Sequence, residues 1–187
     1  MKRYRDERLN NAIAYFSREY KKKARKPLSQ TTLYKFLAFV DFQSLEETGE
    51  PVFELNYKAM ERGPVPMELY GERGILDNDY FKFQRIPNSN QVIVVPKKKP
   101  NFDYFSQYEV DLMNKWKYIL ASPQVSTHHA SEGSHEQIRA WRETFHKIGK
   151  NEMIKYIHHF ENIQDNKKEK TPAEEHFLIY SAIHNVQ

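Results

Sequence analysis

Leu9, Ile13, Phe16 and Tyr20 follow one another at steps of four, three and four residues, the spacing that lines one face of a helix with about 3.6 residues per turn. This stripe predicts a first helix from about Asp6 to Lys23, with a basic end suited to the negative pole of the helix dipole and Pro27 as its stop. Ser29 then fits the N-cap of a second helix, from about Gln30 to Glu47, because its hydroxyl can accept from a free N–H of the first turn. Leu33, Phe36, Leu37, Val40 and Leu45 form the main stripe, while Tyr34, Phe39 and Phe42 fill the other faces. A helix apolar nearly all round belongs at the centre of its fold. Gly49 stands where such a helix can end in a left-handed residue.

The pattern weakens to an extended stretch from Pro51 to Met60, carrying Val52, Leu55 and Tyr57. In the following Glu61-Arg62-Gly63-Pro64-Val65-Pro66, Gly63 can take a positive φ and Pro64 biases it away from the right-handed helical region. Pro66 suits the first position of a short helix over Met67 to Tyr70. A stiff, exposed turn is expected, either as a recognition feature or as a plain connector. Tyr80 to Ile86 and Gln91 to Val95 are rich in aromatic and β-branched residues, with Pro87-Asn88-Ser89-Asn90 as turn chemistry between them, which predicts a β-hairpin. Lys97-Lys98-Lys99 would then protect an edge strand against pairing with another chain.

Helical spacing returns in the second half. Ser106-Gln107-Tyr108-Glu109 is a capping box ahead of Val110, Met113 and Leu120, and Ser134-His135-Glu136-Gln137 reads as another, opening a helix with Ile138, Trp141 and Phe145. Asn151 to Phe160 reads as amphipathic through Ile154, Ile157 and Phe160. Thr171-Pro172-Ala173-Glu174 opens a last helix over about residues 171–185. The expected fold is mainly α (α+β), a compact helical domain with a small central β-hairpin.

With 187 residues the chain is expected to be one domain over residues 1–187, long enough to bury a core without staples. It has no cysteine, which excludes disulfide scaffolds, thiol catalysis and Cys-based metal sites and fits a reducing compartment. Mean hydropathy is −0.84, no apolar run approaches the roughly 20 residues of a membrane span, and Met1 to Asp6 has no apolar stretch behind its charges. A cytoplasmic chain is expected. The net charge of +4 is unevenly placed: residues 1–26 hold ten Lys or Arg against three carboxylates, a local balance of +7. Lys21, Lys22, Lys23, Arg25 and Lys26, close to Tyr20, are therefore the alternative contacts for nucleic acid, although the second helix is too apolar to serve as a base-reading helix.

Candidate chemistry is sparse. Of the eight histidines, no two stand at i and i+4 with a carboxylate between them, and His128-His129 and His158-His159 point to different helix faces, so no metal site is expected. No Gly-rich phosphate loop and no nucleophile motif occurs, and Glu46-Glu47 and Glu174-Glu175 read as surface charges at helix ends. His135 is read as packing on Trp141 rather than acting as a base. Catalytic residues and cofactors are not expected.

Three segments carry a resemblance: Leu33-Tyr34-Lys35-Phe36-Leu37-Ala38-Phe39-Val40-Asp41, then Tyr57 to Pro66 with its Gly63-Pro64-Val65-Pro66, then Phe105-Ser106-Gln107-Tyr108-Glu109 followed by Ser131 to Trp141. Their order and spacing, over about residues 9–160, resemble the Panacea domain, also called the SocA-like or phage-associated GepA-type domain. Tyr34-Lys35-Phe36 stands where that family usually has Gln-Lys-Leu. The resemblance implies an antitoxin-type protein without enzymatic activity, partnered with a toxin encoded beside it and often carried on a prophage; one branch looks like a proteolytic adaptor that delivers its toxin to a host protease. Tyr57, Arg62, Gly63, Pro64, Val65, Pro66 and Tyr70 are the candidate partner contacts, since Arg and aromatic residues dominate interface hot spots.

Overall fold

A computed structural model describes residues 4–72, 75–167 and 169–184. Lys2 and Arg3, counted in the basic N-terminal stretch, and residue 185, the expected end of the last helix, lie outside the described residues. Helix α1 (Arg5–Ala24) buries the predicted stripe of Leu9, Ile13, Phe16 and Tyr20. It ends at Arg25 in a left-handed conformation. Strand β1 (Leu28–Ser29) leads directly into α2 (Gln30–Thr48), whose N-cap Ser29 accepts from Thr32 N–H at 3.1 Å. Thirteen of the 19 residues of α2 are buried, which makes it the central helix that its sequence predicts.

Two hairpins pack around α2. The first joins β2 (Tyr57–Met60) to β3 (Gly63–Pro66), with Met60 opposite Gly63 and only Glu61-Arg62 between them. Pro64 and Pro66 face Ala59 and Tyr57. The carbonyls of those two residues, which an N–H at either proline position would have served, already accept from Asn151 N–H and Ile154 N–H on the other side. The prolines therefore cost the hairpin no ladder bond. A short α3 (Met67–Tyr70) follows, for which Pro66 is the N-cap residue and not the first helical one. The second hairpin, β4 (Phe81–Arg85) and β5 (Val92–Pro96), is the predicted one. Its order is β1-β5-β4, so β5 is central and the expectation that the lysine run follows an edge strand is corrected. Lys97 instead pairs with Asp77, and Lys98 lies 4.8 Å over the Tyr80 ring.

Helix α4 (Gln107–Leu120) starts at the predicted capping box of Ser106 and Glu109. Helix α5 (Thr127–Gln137) corrects the next expectation. Its N-cap is Ser126, with His129 closing the box, and Ser134 lies fully buried in its last turns. His129 Nδ1 accepts from Ser126 N–H at 3.4 Å, in the place of the Glu or Gln side-chain oxygen of the usual motif. Then come α6 (Arg139–Glu143), a π turn over Thr144–Ile148 and a 3-10 turn over Tyr156–His159. The amphipathic helix expected from Asn151 to Phe160 is absent. Residues 152–154 run extended along β2 after a left-handed Asn151 at φ 65°, and the alternation of buried Ile154 and Tyr156 with exposed Met153 and Lys155 is a strand pattern.

Helix α7 (Pro172–His184) packs on α2. Glu174, expected at the surface, is 5% exposed, and its carboxylate accepts from Thr171 N–H while the Thr171 hydroxyl accepts from Glu174 N–H. Gly49, at φ 81°, ends α2 directly under this helix, where an added Cβ would collide with Ala173 O and lie 2.7 Å from Phe177 N. Both the positive φ and this backbone approach require glycine. Gly49→Ala is expected to cost about 2–3 kcal/mol and to speed amide exchange across Pro172–His184. Unchanged protection of α7 would contradict this packing.

Candidate partner-binding site

The three motif segments meet at one place. Lys35 of α2 runs beneath the β2–β3 turn, and its amine reaches the Pro64 carbonyl at 3.5 Å. Ser134 of α5 arrives from the other side, and its hydroxyl donates to Ser131 O at 2.7 Å. A Cβ on Gly63 would collide with Ser134 Oγ and lie 2.5 Å from Lys35 Nζ. Glycine at φ 95° is what lets both polar ends close on the hairpin. Trp141 donates its indole N–H to Met60 O at 3.0 Å and stacks on His135 at 4.0 Å, the packing pair expected from the sequence.

Lys35 is 1% exposed, and burial alone pushes its amine down to about 7. His135 is also pushed down, first by burial and then by Lys35. One helical turn and a half further along α2, Asp41 is fully buried and accepts from Phe53 N–H at 2.6 Å, Leu55 N–H at 3.4 Å and Tyr57 O–H at 3.0 Å, while the Tyr156 hydroxyl, 3.4 Å from the carboxylate, donates to Leu55 O at 2.7 Å. Burial, followed by the Asp41 charge, raises both tyrosine hydroxyls far above their ordinary range. Asp41 thereby fixes the chain that leads into β2, while Lys35 supports the turn that leaves it.

The expected exposed turn is corrected. Glu61 and Arg62 are exposed, but Gly63, Pro64, Val65 and Pro66 are buried against α2 and α5. Tyr57 is 1% exposed and presents its ring to Phe42 rather than to solvent. Tyr70 is half-buried and borders a groove of about 470 Å³ with Tyr34, Lys35, Arg62 and Lys150. A second groove of about 400 Å³, with Arg62, His128, Ser131 and His135, lies on the other side of the turn. Of the expected contacts, Arg62 and Tyr70 thus reach the surface together.

The family model for the SocA-like antitoxin, Panacea domain, matches residues 33–164, the stretch that supplies nearly every residue lining these two grooves. The chain belongs to that family. No curated protein and no solved structure matches it significantly. The match begins within α2, so α1, which the resemblance had included from Leu9, and α7 flank the SocA-like segment.

Basic residues of α1 are partly consumed inside the fold. Arg5 pairs with Glu68 and Arg8 with Glu109, each at 2.5 Å, and Lys23 donates to Tyr118 O at 2.9 Å. Lys22 pairs with Glu19, whereas Lys21, Arg25 and Lys26 are exposed. Among the described residues no three His, Asp or Glu side chains converge as a metal ion would require, and no helix is long and apolar enough to cross a membrane.

Lys35, Asp41 and Ser134 were missing from the expected site. The signal for the first two was present: between Gln30 and Leu45 they are the sole charged residues of a helix apolar on every face. A charge on a helix with no solvent face is buried, and a buried charge has a structural partner or a function.

Proposed function

We propose that this SocA-like chain binds and neutralises a cognate toxin encoded near it in a prophage-associated toxin–antitoxin system, by covering the toxin's active region. The family match over residues 33–164 carries this reading. The position of the motif residues supports it: they converge to hold one exposed turn between two grooves, with Arg62 at the centre. A preformed, rigid turn loses little entropy on binding. A stable complex needs at least about 1,000 Å² of interface, so the face includes both grooves and the exposed side of α5. The reading is non-catalytic. The Ser134 hydroxyl beside the Lys35 amine is fully buried and turned to the Ser131 carbonyl, away from any substrate.

Co-expression in bacteria with the product of each neighbouring gene tests this directly. Rescue of growth from a lethal neighbour, with a complex that co-purifies, is the expected outcome. Rescue without a complex would favour an adaptor that hands the toxin to a host protease. If no neighbour is toxic and duplex DNA is bound with a steep loss in salt, the function moves to Lys21, Lys22, Lys23, Arg25 and Lys26.

A further inference from the structure

Resting on that reading, we propose that the groove beside the Glu61-Arg62 turn is a carboxylate-reading site, and that the partner segment seated there carries an Asp or Glu side chain directed at Lys35. Lys35, Arg62 and Lys150 line this groove against one carboxylate, Glu61, which is held by Lys150 at 3.1 Å. Arg62 is exposed and makes no ion pair among the described residues. Lys35 has three N–H donors and one long bond, to Pro64 O at 3.5 Å. The Gln30 side-chain N–H₂, on the same wall, is buried and unpartnered. The site therefore holds surplus donors at its floor and surplus positive charge at its rim.

The shape favours a protein side chain. About 470 Å³ accommodates a few residues of an extended segment, and Met60, Val65 and Tyr70 give it apolar walls. Backbone pairing with the outer edge of β3 is blocked, because Pro64 and Pro66 have no N–H to offer. Recognition must then come from side chains. A nucleic-acid backbone would need a row of cations, whereas here Glu61 and Glu132 stand on either side of Arg62. The charged groups facing Lys35 are Glu61 and Arg62 of the turn, Lys150 beyond it and His135 with Glu132 on α5. A carboxylate beside Lys35 restores the charged amine that burial disfavours.

The test titrates the full chain, labelled at the lysine ε-carbons, with the blocked tripeptide acetyl-Leu-Glu-Tyr-amide and with its Gln counterpart, followed by NMR. The Glu peptide is expected to move the Lys35 signal toward the protonated form, with the Gln peptide about tenfold weaker. Arg62→Glu and Lys150→Glu, both at exposed positions, are expected to abolish the difference while leaving the fold intact. Equal binding of the two peptides, or a Lys35 signal that does not respond, would overturn the carboxylate site and leave the antitoxin reading to its own co-expression test. Selective Glu binding without rescue of any toxic neighbour would instead support the site and count against the antitoxin reading.

Discussion

Asp41→Ala is expected to destabilise the chain by about 4–6 kcal/mol, since it strands several buried donors to a charged acceptor at once. That approaches the whole stability of an ordinary domain, about 5–15 kcal/mol. The carboxylate accepts from two backbone N–H groups, Phe53 and Leu55, and from the Tyr57 hydroxyl, whereas the Tyr156 hydroxyl beside it keeps the Leu55 carbonyl. The Phe53, Leu55 and Tyr57 donors cannot turn to water, because these residues and Asp41 are all within 1% of full burial. Asp41→Asn keeps the volume but replaces one acceptor with an N–H₂ that faces other donors, and is expected to cost about half as much. Tyr57→Phe removes one donor and leaves the hub, so a cost of about 1–2 kcal/mol is expected. Urea unfolding of the three variants measures the series. A loss below about 1 kcal/mol for Asp41→Ala would show that the aspartate does not organise residues 53–57.

Lys35→Met is expected to act in the opposite direction and raise stability by about 3–4 kcal/mol at pH 7 and below. The Lys35 amine titrates near 7 in the fold and near 10.5 in an unfolded chain. Between those values the unfolded state holds a proton that the native state has released, so the stability of the natural chain rises with pH across this window. Below pH 7 both states are protonated and the full cost of a buried ammonium is borne. Methionine has similar length and no charge to desolvate, so its curve should be flat there. The gap is expected to narrow by about 1.4 kcal/mol per pH unit from pH 7 and to close only near pH 10.5. Near pH 10 the buried tyrosines lower the stability of both proteins alike, since their unfolded forms ionise first. Parallel stability curves from pH 6 to pH 9 would contradict a buried, strained Lys35. If Lys35→Met gains stability and loses its partner, the lysine is held for binding at the expense of the fold.

Much of this architecture was legible in the chain. The ends of α1 and α2, the caps at Ser29, Ser106 and Thr171 and the β4–β5 hairpin follow from local side-chain chemistry, which acts over a few residues. Where the structure departs from the local pattern, distant partners decide. Ser134 has the sequence of a helix start, but its hydroxyl bonds to Ser131 O inside α5 because Gly63 leaves room for it there. Residues 152–154 are extended because β2 has backbone groups to satisfy, which outweighs a weak helical spacing. Gly63 to Pro66 looked exposed because Gly and Pro mark turns, yet the turn proper is Glu61-Arg62 and the prolines lie in a buried strand. The same blindness hid the site. The Gly63-Pro64-Val65-Pro66 motif was visible, but Lys35 and Ser134, which close beneath it, come from segments about 30 residues before and 70 residues after it.

The decisive measurement is amide hydrogen exchange on the full chain, free and in complex with the neighbouring toxin from which it rescues growth and with which it co-purifies. Slower exchange at Met60 to Arg62 and across Thr127 to His135, with Pro172 to His184 unchanged, is the expected result. Protection confined to α1 or α7, with the turn exchanging as in the free chain, would contradict a binding face built by the SocA-like motifs.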